Sequence, residues 1–422
     1  MSSRLLDLAT ARRTGHPCGI TSVCSAHPTV IRAGVRRAFE TRQPVLIEAT
    51  CNQVNQFGGY TGMMPSDFVG LVETIAVEEG LDRSLLIFGG DHLGPNPWRR
   101  EPPDVALKKA QDMVGAYVTA GFGKIHLDTS MGCGGEPEAL DDRTIAARAA
   151  DLCRVAEVAA KAAGLPPPVY VLGTEVPVPG GADHVLESVE PTSPEAARNT
   201  IAIHREIFLA AGLQEAFERV LAFVVQPGVE FGSENVVQYD PVKACALKAV
   251  LNDYDSLVFE AHSTDYQSEA ALGALVRDGF AILKVGPGLT FAYREALYAL
   301  DLVASELVSS YGDRPLAAAM ERIMLDNPAD WQGHYHGDEG MLRLQRHYSY
   351  SDRIRYYWNR PQAALAVQKL LEALKGRTIP LPLLHQFLPG FAKSGMTAEG
   401  ILLGAVDNVL AAYDRSVHQV SN

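Results

Sequence analysis

The feature that most constrains how this 422-residue chain can fold is an alternation. Short apolar runs rich in β-branched residues recur, each separated by a stretch with helical punctuation. The candidate strands are 19–25, 44–50, 85–91, 124–129, 169–175, 221–226, 257–262 and 280–285. Near-continuous apolar runs are what a parallel sheet buried on both faces requires. Between them, Ser66 is placed to cap a helix. Pro102 and Pro103 can open another that Gly121 closes. Ser193-Pro194-Glu195 reads as cap, first helical residue and first-turn acid, with Gly212 as the stop, and Asp240-Pro241 repeats the device. Eight strand–helix units in series predict an α/β fold, a closed (β/α)8 TIM barrel over residues 1–310. An open doubly wound sheet usually carries a glycine fingerprint after its first strand. Here that strand runs instead into Cys24-Ser25-Ala26-His27. The remaining 311–422 read as a C-terminal helical extension packing on the barrel, with 361–375 and 398–413 as its clearest helices.

Composition narrows the class of function. A net charge of −13 argues against a nucleic-acid surface or an anionic membrane surface, since phosphate backbones need clustered Lys and Arg. It leaves room for a small phosphorylated substrate. No run of 18 apolar residues and no secretory leader is present, and the six cysteines form no CxxC pair. A cytoplasmic protein with free thiols is the expectation.

In a barrel, chemistry collects at the carboxyl ends of the strands. Those ends supply Cys24; Glu48, Asn52 and Gln53; Asp91-His92; His126 and Asp128; Glu175; Gln226; Glu260 and His262; and Lys284. Buried carboxylates and imidazoles are costly unless paired or metal-bound, so such a ring marks a site. Asp91-His92 follows Gly89-Gly90, which are expected to let the backbone turn tightly and bring both side chains to the mouth. His92 can hold a divalent metal while Asp91 moves a proton on the substrate. His262 and Glu175 are the natural further ligands for an open catalytic site.

The eighth strand ends in Lys284-Val285-Gly286-Pro287-Gly288. This is a lysine beside glycines ahead of a helix N-terminus, which predicts an anion cradle for a phosphate. Asp265 in Ser263-Thr264-Asp265-Tyr266 offers a hydroxyl-binding carboxylate. Asn52 and Gln53 open an amide-rich loop suited to vicinal sugar hydroxyls. In the tail, the basic and aromatic stretch 348–358 either folds over the mouth, bringing Arg353 or Arg355 to a phosphate, or forms a subunit contact. His334 and His336 read as an exposed loop.

The motifs IEATCNQVNQFGGYTGM (47–63), GGDHLGPNPW (89–98), HLDTSM (126–131), GTEVPVPGG (173–181), VVQPGVEF (224–231), EAHSTDYQ (260–267), ILKVGPGLTFA (282–292) and SYSDRIRYYW (349–358) closely resemble one family. It is the D-tagatose-bisphosphate aldolase Z-subunit family (GatZ/KbaZ), and the resemblance runs over essentially the whole chain. It implies one of several activities. Some members are non-catalytic subunits of a class II tagatose-bisphosphate aldolase. Others are sugar-phosphate epimerases interconverting D-tagatose 6-phosphate and D-fructose 6-phosphate at C4. A kinase activity attributed to some members finds no GxxxxGK[ST] loop here. The barrel is also similar to class II aldolases, in which an Asp-His pair after strand three is joined by histidines after strands six and seven. This chain keeps Asp91, His92 and His262 but has Gln226 in place of the strand-six histidine, with Glu175 to fill the vacancy.

The reading that joins these residues is a ketose 6-phosphate 4-epimerase using a divalent metal ion (Zn, Mn, Mg, Co or Ni). Its ligands would be His92, Glu175 and His262. Asp91 or Glu48 would shuttle the C4 hydroxyl proton, Lys284, Gly286, Gly288 and Arg353 would hold the phosphate, and Asn52, Gln53, Gln226 and Asp265 would bind the sugar. The expected partner is a phosphorylated ketohexose, in a homo-oligomer or in hetero-association with a class II aldolase subunit. A true class II aldolase acting on a bisphosphate, which would need a second phosphate site, and other ketose or uronate epimerases are the rivals.

Overall fold

A computed structural model of the chain describes residues 3–173 and 189–418. Eight parallel strands close into a barrel: β1 (Ile20–Cys24), β2 (Val45–Thr50), β3 (Leu86–Leu93), β4 (Lys124–Leu127), β5 (Val169–Leu172), β6 (Val220–Val224), β9 (Val258–Ala261) and β10 (Phe280–Val285). Strand β1 pairs with both β2 and β10, which completes the circle. Between β6 and β9, the two-residue strands β7 (Glu230–Phe231) and β8 (Val236–Val237) form an antiparallel ribbon.

Two-residue periodicity sorts each strand. Val45, Ile47 and Ala49 face the outer helices, while Leu46 and Glu48 face the barrel axis. The lower interior is apolar, built from Ile20, Leu46, Ile87, Val171 and Ile282, and the helix Ser3–Arg13 adds Leu5, Leu8 and Ala9 to it. One level up the same strands turn polar, with Glu48, Lys124, Glu260 and Lys284 all buried.

The helices differ from the sequence reading in instructive places. The helix Pro65–Glu79 is capped from Met64, whose backbone N–H donates to Asp67 Oδ2 at 2.9 Å; Ser66 lies inside the first turn. Asp240 accepts from the Val242 amide at 2.9 Å, but only the short helix Cys245–Lys248 follows. By contrast, Ser193 Oγ does cap the helix Pro194–Ala210, accepting from Ala196 N. The helix after β10 begins at Pro287 and runs to Leu307.

The C-terminal segment is helical and packs on the barrel. Its last helix, Ala398–His418, lies against β1, the helix Pro28–Thr41 and the helix Pro287–Leu307. Gly19 N donates to Val417 O at 3.1 Å. Tyr413 Oη donates to Thr264 O at 2.6 Å, and Thr264 Oγ1 donates to Lys284 O at 2.6 Å. Among the described residues no helix is long and apolar enough to cross a membrane.

Gly89 and Gly90 lie within strand β3, paired to Glu48 and Ala49 on one side and to Lys124 and Ile125 on the other. Their role is space rather than a turn. A Cβ on Gly89 would fall 2.2 Å from Glu48 Oε1, and one on Gly90 would fall 2.6 Å from Leu93. Gly89→Ala is therefore expected to destabilise the fold by about 1–3 kcal/mol through overpacking of the interior. Thermal unfolding followed by circular dichroism checks this, and an unchanged midpoint would contradict it.

Candidate active site

The reason Asp91 and His92 both reach the mouth is a β-bulge. Register pairs Gly90 with Ile125 but Leu93 with Leu127, so β3 carries one residue more than β4 across that stretch. The extra residue breaks the alternation that would send neighbouring side chains to opposite faces. His92 takes up the change with a left-handed backbone, φ 49°.

Beneath the mouth lies a buried layer of charge. Lys124 Nζ sits 2.6 Å from Glu48 Oε1 and 2.8 Å from Glu260 Oε2. Lys284 Nζ contacts Glu48 Oε2, lies 2.6 Å from Asp91 Oδ1 and 3.2 Å from Glu260 Oε1. Burial works against every one of these charges. Each ammonium nevertheless sits among carboxylates, which holds Lys284 well above its ordinary pKa and raises Lys124. The same contacts hold Glu260 well below the usual carboxylate range and lower Glu48. Asp91, likewise opposed by burial, is held well below that range by His92, Lys284 and the hydrogen bond from His126. The Cys24 thiol, 3.4 Å from Asp91 Oδ2, is pushed well up by burial and stays protonated.

Above this layer, one ligand atom from each of Asp91, His92, His126 and His262 lies within 4.8 Å of the others. The rings of His92 stand 4.8 Å from those of both His126 and His262. His92 Nδ1 is 2.8 Å from Asp128 Oδ2, and His262 Nε2 is 3.0 Å from Glu260 Oε1. A carboxylate on one imidazole nitrogen is the arrangement that orients the other toward a metal. Burial, helped by Lys284 and His92 against Glu260, lowers His262 to about 3, so its ring is neutral, as a ligand must be. Burial opposes charge on His92 as well, but Asp91 and Asp128 raise its pKa. His126 Nε2 donates to the Gly173 carbonyl at 3.0 Å and Nδ1 lies 3.0 Å from Asp91 Oδ1, which ties that ring into the same group. The donor set fits a divalent ion, and mixed imidazole and carboxylate donors suit a transition metal better than magnesium.

A pocket opens above these residues. Cys24, Asn52, Gln53, Asp91, His92, His262, Asp265, Lys284, Gly286 and Arg355 line it, among others. Several expected residues take other places. Glu175 lies outside the described residues. Glu48 is fully buried below the pocket rather than in its wall. Gln226 uses its Oε1 to accept from Gly228 N and Val229 N at 2.8 and 2.9 Å, shaping the loop after β6. Lys284 does not stand beside an open anion cradle, because three carboxylates already surround it. The amides of Gly286 and Gly288 donate to Asp265 Oδ1 at 3.0 and 2.7 Å. Arg353 turns away and donates to Asp330 O, while Arg355, stacked 4.4 Å from the centre of the Tyr356 ring, lines the pocket. Tyr356 meets Tyr60 edge-on at 4.9 Å, which joins the tail to the strand-two loop. His334 and His336 are exposed, away from the pocket lining.

His126, Lys124, Glu260 and Asp128 gain parts the sequence reading did not assign. The signal for them was strand parity, since each stands two residues from another inward-facing group. Lys124→Ala is expected to cost roughly 3–5 kcal/mol, because it strands Glu48 and Glu260 without their shared counter-charge. Urea unfolding measures this, and wild-type stability in that variant would mean the buried layer is not held by Lys124.

The chain matches the family model described as D-tagatose-1,6-bisphosphate aldolase subunit GatZ/KbaZ-like over residues 5–418. A protein of Agrobacterium fabrum (strain C58 / ATCC 33970) named D-tagatose 6-phosphate 4-epimerase is 69% identical over 416 residues, 98% of each chain. A crystal structure from Sinorhizobium meliloti 1021, described as a probable tagatose 6 phosphate kinase, is 52% identical. It superposes with a TM-score of 0.87, covering 94% of this chain and 100% of the other.

Proposed function

This chain belongs to the D-tagatose-1,6-bisphosphate aldolase subunit GatZ/KbaZ-like family, and from that premise we propose that it is an epimerase interconverting D-tagatose 6-phosphate and D-fructose 6-phosphate at C4. The 69% identical relative carries that activity in its name. The observation that carries the reading in this chain is the convergence of Asp91, His92, His126 and His262 beside Lys284.

His92 and His262, with Asp91 and His126 as neighbouring donors, are the residues to hold a divalent metal ion. When bound, it supplies an electrophile for the C2 carbonyl and C3 hydroxyl of a ketose. The hydrogen on C4 has no acidity of its own, so inversion by simple deprotonation is unattractive. Cleaving and remaking the C3–C4 bond is the available route. As that bond breaks, the C4 hydroxyl proton passes to Asp91 and the bonding pair moves onto the three-carbon ketone half as an enediolate. The other half is glyceraldehyde 3-phosphate. Rotation of the aldehyde presents its second face, the pair returns to form the new C3–C4 bond, and the proton returns to the C4 oxygen.

Asp91 is the proton carrier because it lines the pocket, with Lys284 at 2.6 Å keeping it ionised until the hydroxyl arrives. Glu48, below the pocket and in contact with both lysines, positions Lys284 instead. Asn52 and Gln53 face the sugar hydroxyls. Arg355, from the tail, is the cation placed for the single phosphate.

Purified protein supplied with a divalent metal is expected to convert D-fructose 6-phosphate to D-tagatose 6-phosphate, followed by carbon-13 NMR. A chelator should abolish the conversion and added metal restore it. Asp91→Asn should lower kcat by roughly 10²–10⁴-fold, the usual contribution of a positioned proton carrier. His262→Ala should lower the bound metal measured by mass spectrometry. Metal-loaded, folded protein that leaves the sugar phosphate untouched, yet stimulates a separate aldolase chain, would replace the epimerase by an accessory subunit.

A further inference from the structure

Barrel folds commonly seat a phosphate on the loops after their seventh and eighth strands, at a helix N-terminus. This chain has the parts for such a seat: Gly286 and Gly288 at the start of the helix Pro287–Leu307. Both backbone N–H groups are aimed at one acceptor, and that acceptor is the chain's own Asp265. The fit is close, since a Cβ on Gly288 would lie 3.0 Å from Asp265 Oδ1. The loop that delivers Asp265 is built tightly around it. Ser263 and Tyr266 have left-handed backbones, φ 51° and 63°, Thr264 is tied to Lys284 O and Tyr413, and Tyr266 Oη donates to Tyr350 O at 2.6 Å. The carboxylate is therefore a fixed occupant of the seat.

The charge around the pocket leads the same way. Its lining cations are Lys284 and Arg355, apart from the histidines. Lys284 is already shared by Glu48, Asp91 and Glu260. That leaves Arg355 to meet an anion, and the segment 174–188 contains neither Lys nor Arg.

We propose that Asp265 limits the site to substrates with one phosphate. Its carboxylate fills the backbone seat that a second phosphate would need, so the ketose end lying there must be a hydroxymethyl group. The side chain offers that hydroxyl an acceptor and repels a phosphate. Burial raises Asp265 to about 6 against the pull of the Gly288 and Gly286 amides, so it is still mainly ionised at neutral pH. The assignment rests on the ketose 6-phosphate reading for its substrate, but the phosphate seat can be tested without turnover.

The test is calorimetric binding of D-fructose 6-phosphate, D-fructose 1,6-bisphosphate and inorganic phosphate to metal-loaded wild type and to Asp265→Ala. Wild type should prefer the 6-phosphate. The variant should bind inorganic phosphate and the bisphosphate more tightly by about tenfold or more, as two released amides and a removed charge imply. It should also lose kcat/KM on the 6-phosphate. Asp265→Asn keeps an oxygen for the amides while removing the charge. It should narrow the preference without gaining affinity for inorganic phosphate, and it serves if the alanine variant does not fold. Wild type that binds the bisphosphate as tightly as the 6-phosphate would overturn the proposal. So would a folded Asp265→Ala with no gain in phosphate affinity, or an Asp265→Asn with an unchanged preference. If the expected gains appear although wild type turns over no sugar phosphate, the epimerase reading fails and the role of Asp265 stands.

Discussion

Everything at the mouth of this barrel rests on the ionic layer below it. Two ammonium groups, Lys124 and Lys284, sit among Glu48, Glu260 and Asp91 with almost no access to solvent. Charges buried in this way are tolerable only when each finds its partner, and removing one partner costs far more than the pair gains over an apolar replacement. The layer thus fixes the rotamers of its members. Glu260 orients His262, Lys284 keeps Asp91 ionised, and Asp91 engages His126. A reacting group held this way spends little energy on reorganisation when substrate arrives.

Much of this was legible in the sequence, and the reasons are physical. The barrel followed from eight apolar runs at crossover spacing, because a strand buried on both faces leaves that signature. The site followed from where the runs stop being apolar: Asp91, His92 and His262 all stand at such ends. Other features depend on pairing across the barrel, which strand order alone does not reveal. Lys124 reads as the polar start of a strand, yet it bonds to Glu48 and Glu260 from two other strands. Gly89-Gly90 reads as a turn, but the glycines clear room for Glu48 and the change of direction falls on His92. Arg353 and Arg355 are chemically alike two residues apart. Only the path of the short helix Arg353–Tyr357 decides which of them lines the pocket.

The glycine-rich end of β10 shows how a correct local reading meets a different occupant. The amides of Gly286 and Gly288 do form an anion-binding concavity. The anion is Asp265, contributed from only about twenty residues earlier in the chain. Sequence spacing showed both components but not that one sits in the other.

The last helix carries a mechanical consequence. Tyr413 holds the carbonyl of Thr264, and Thr264 in turn holds the carbonyl of Lys284, so the two loops that shape the sugar pocket share a brace from a helix 149 residues downstream. Fraying of that helix would loosen the grip on the ligand while the cylinder itself stayed intact. In this protein, grip and global melting are separable properties.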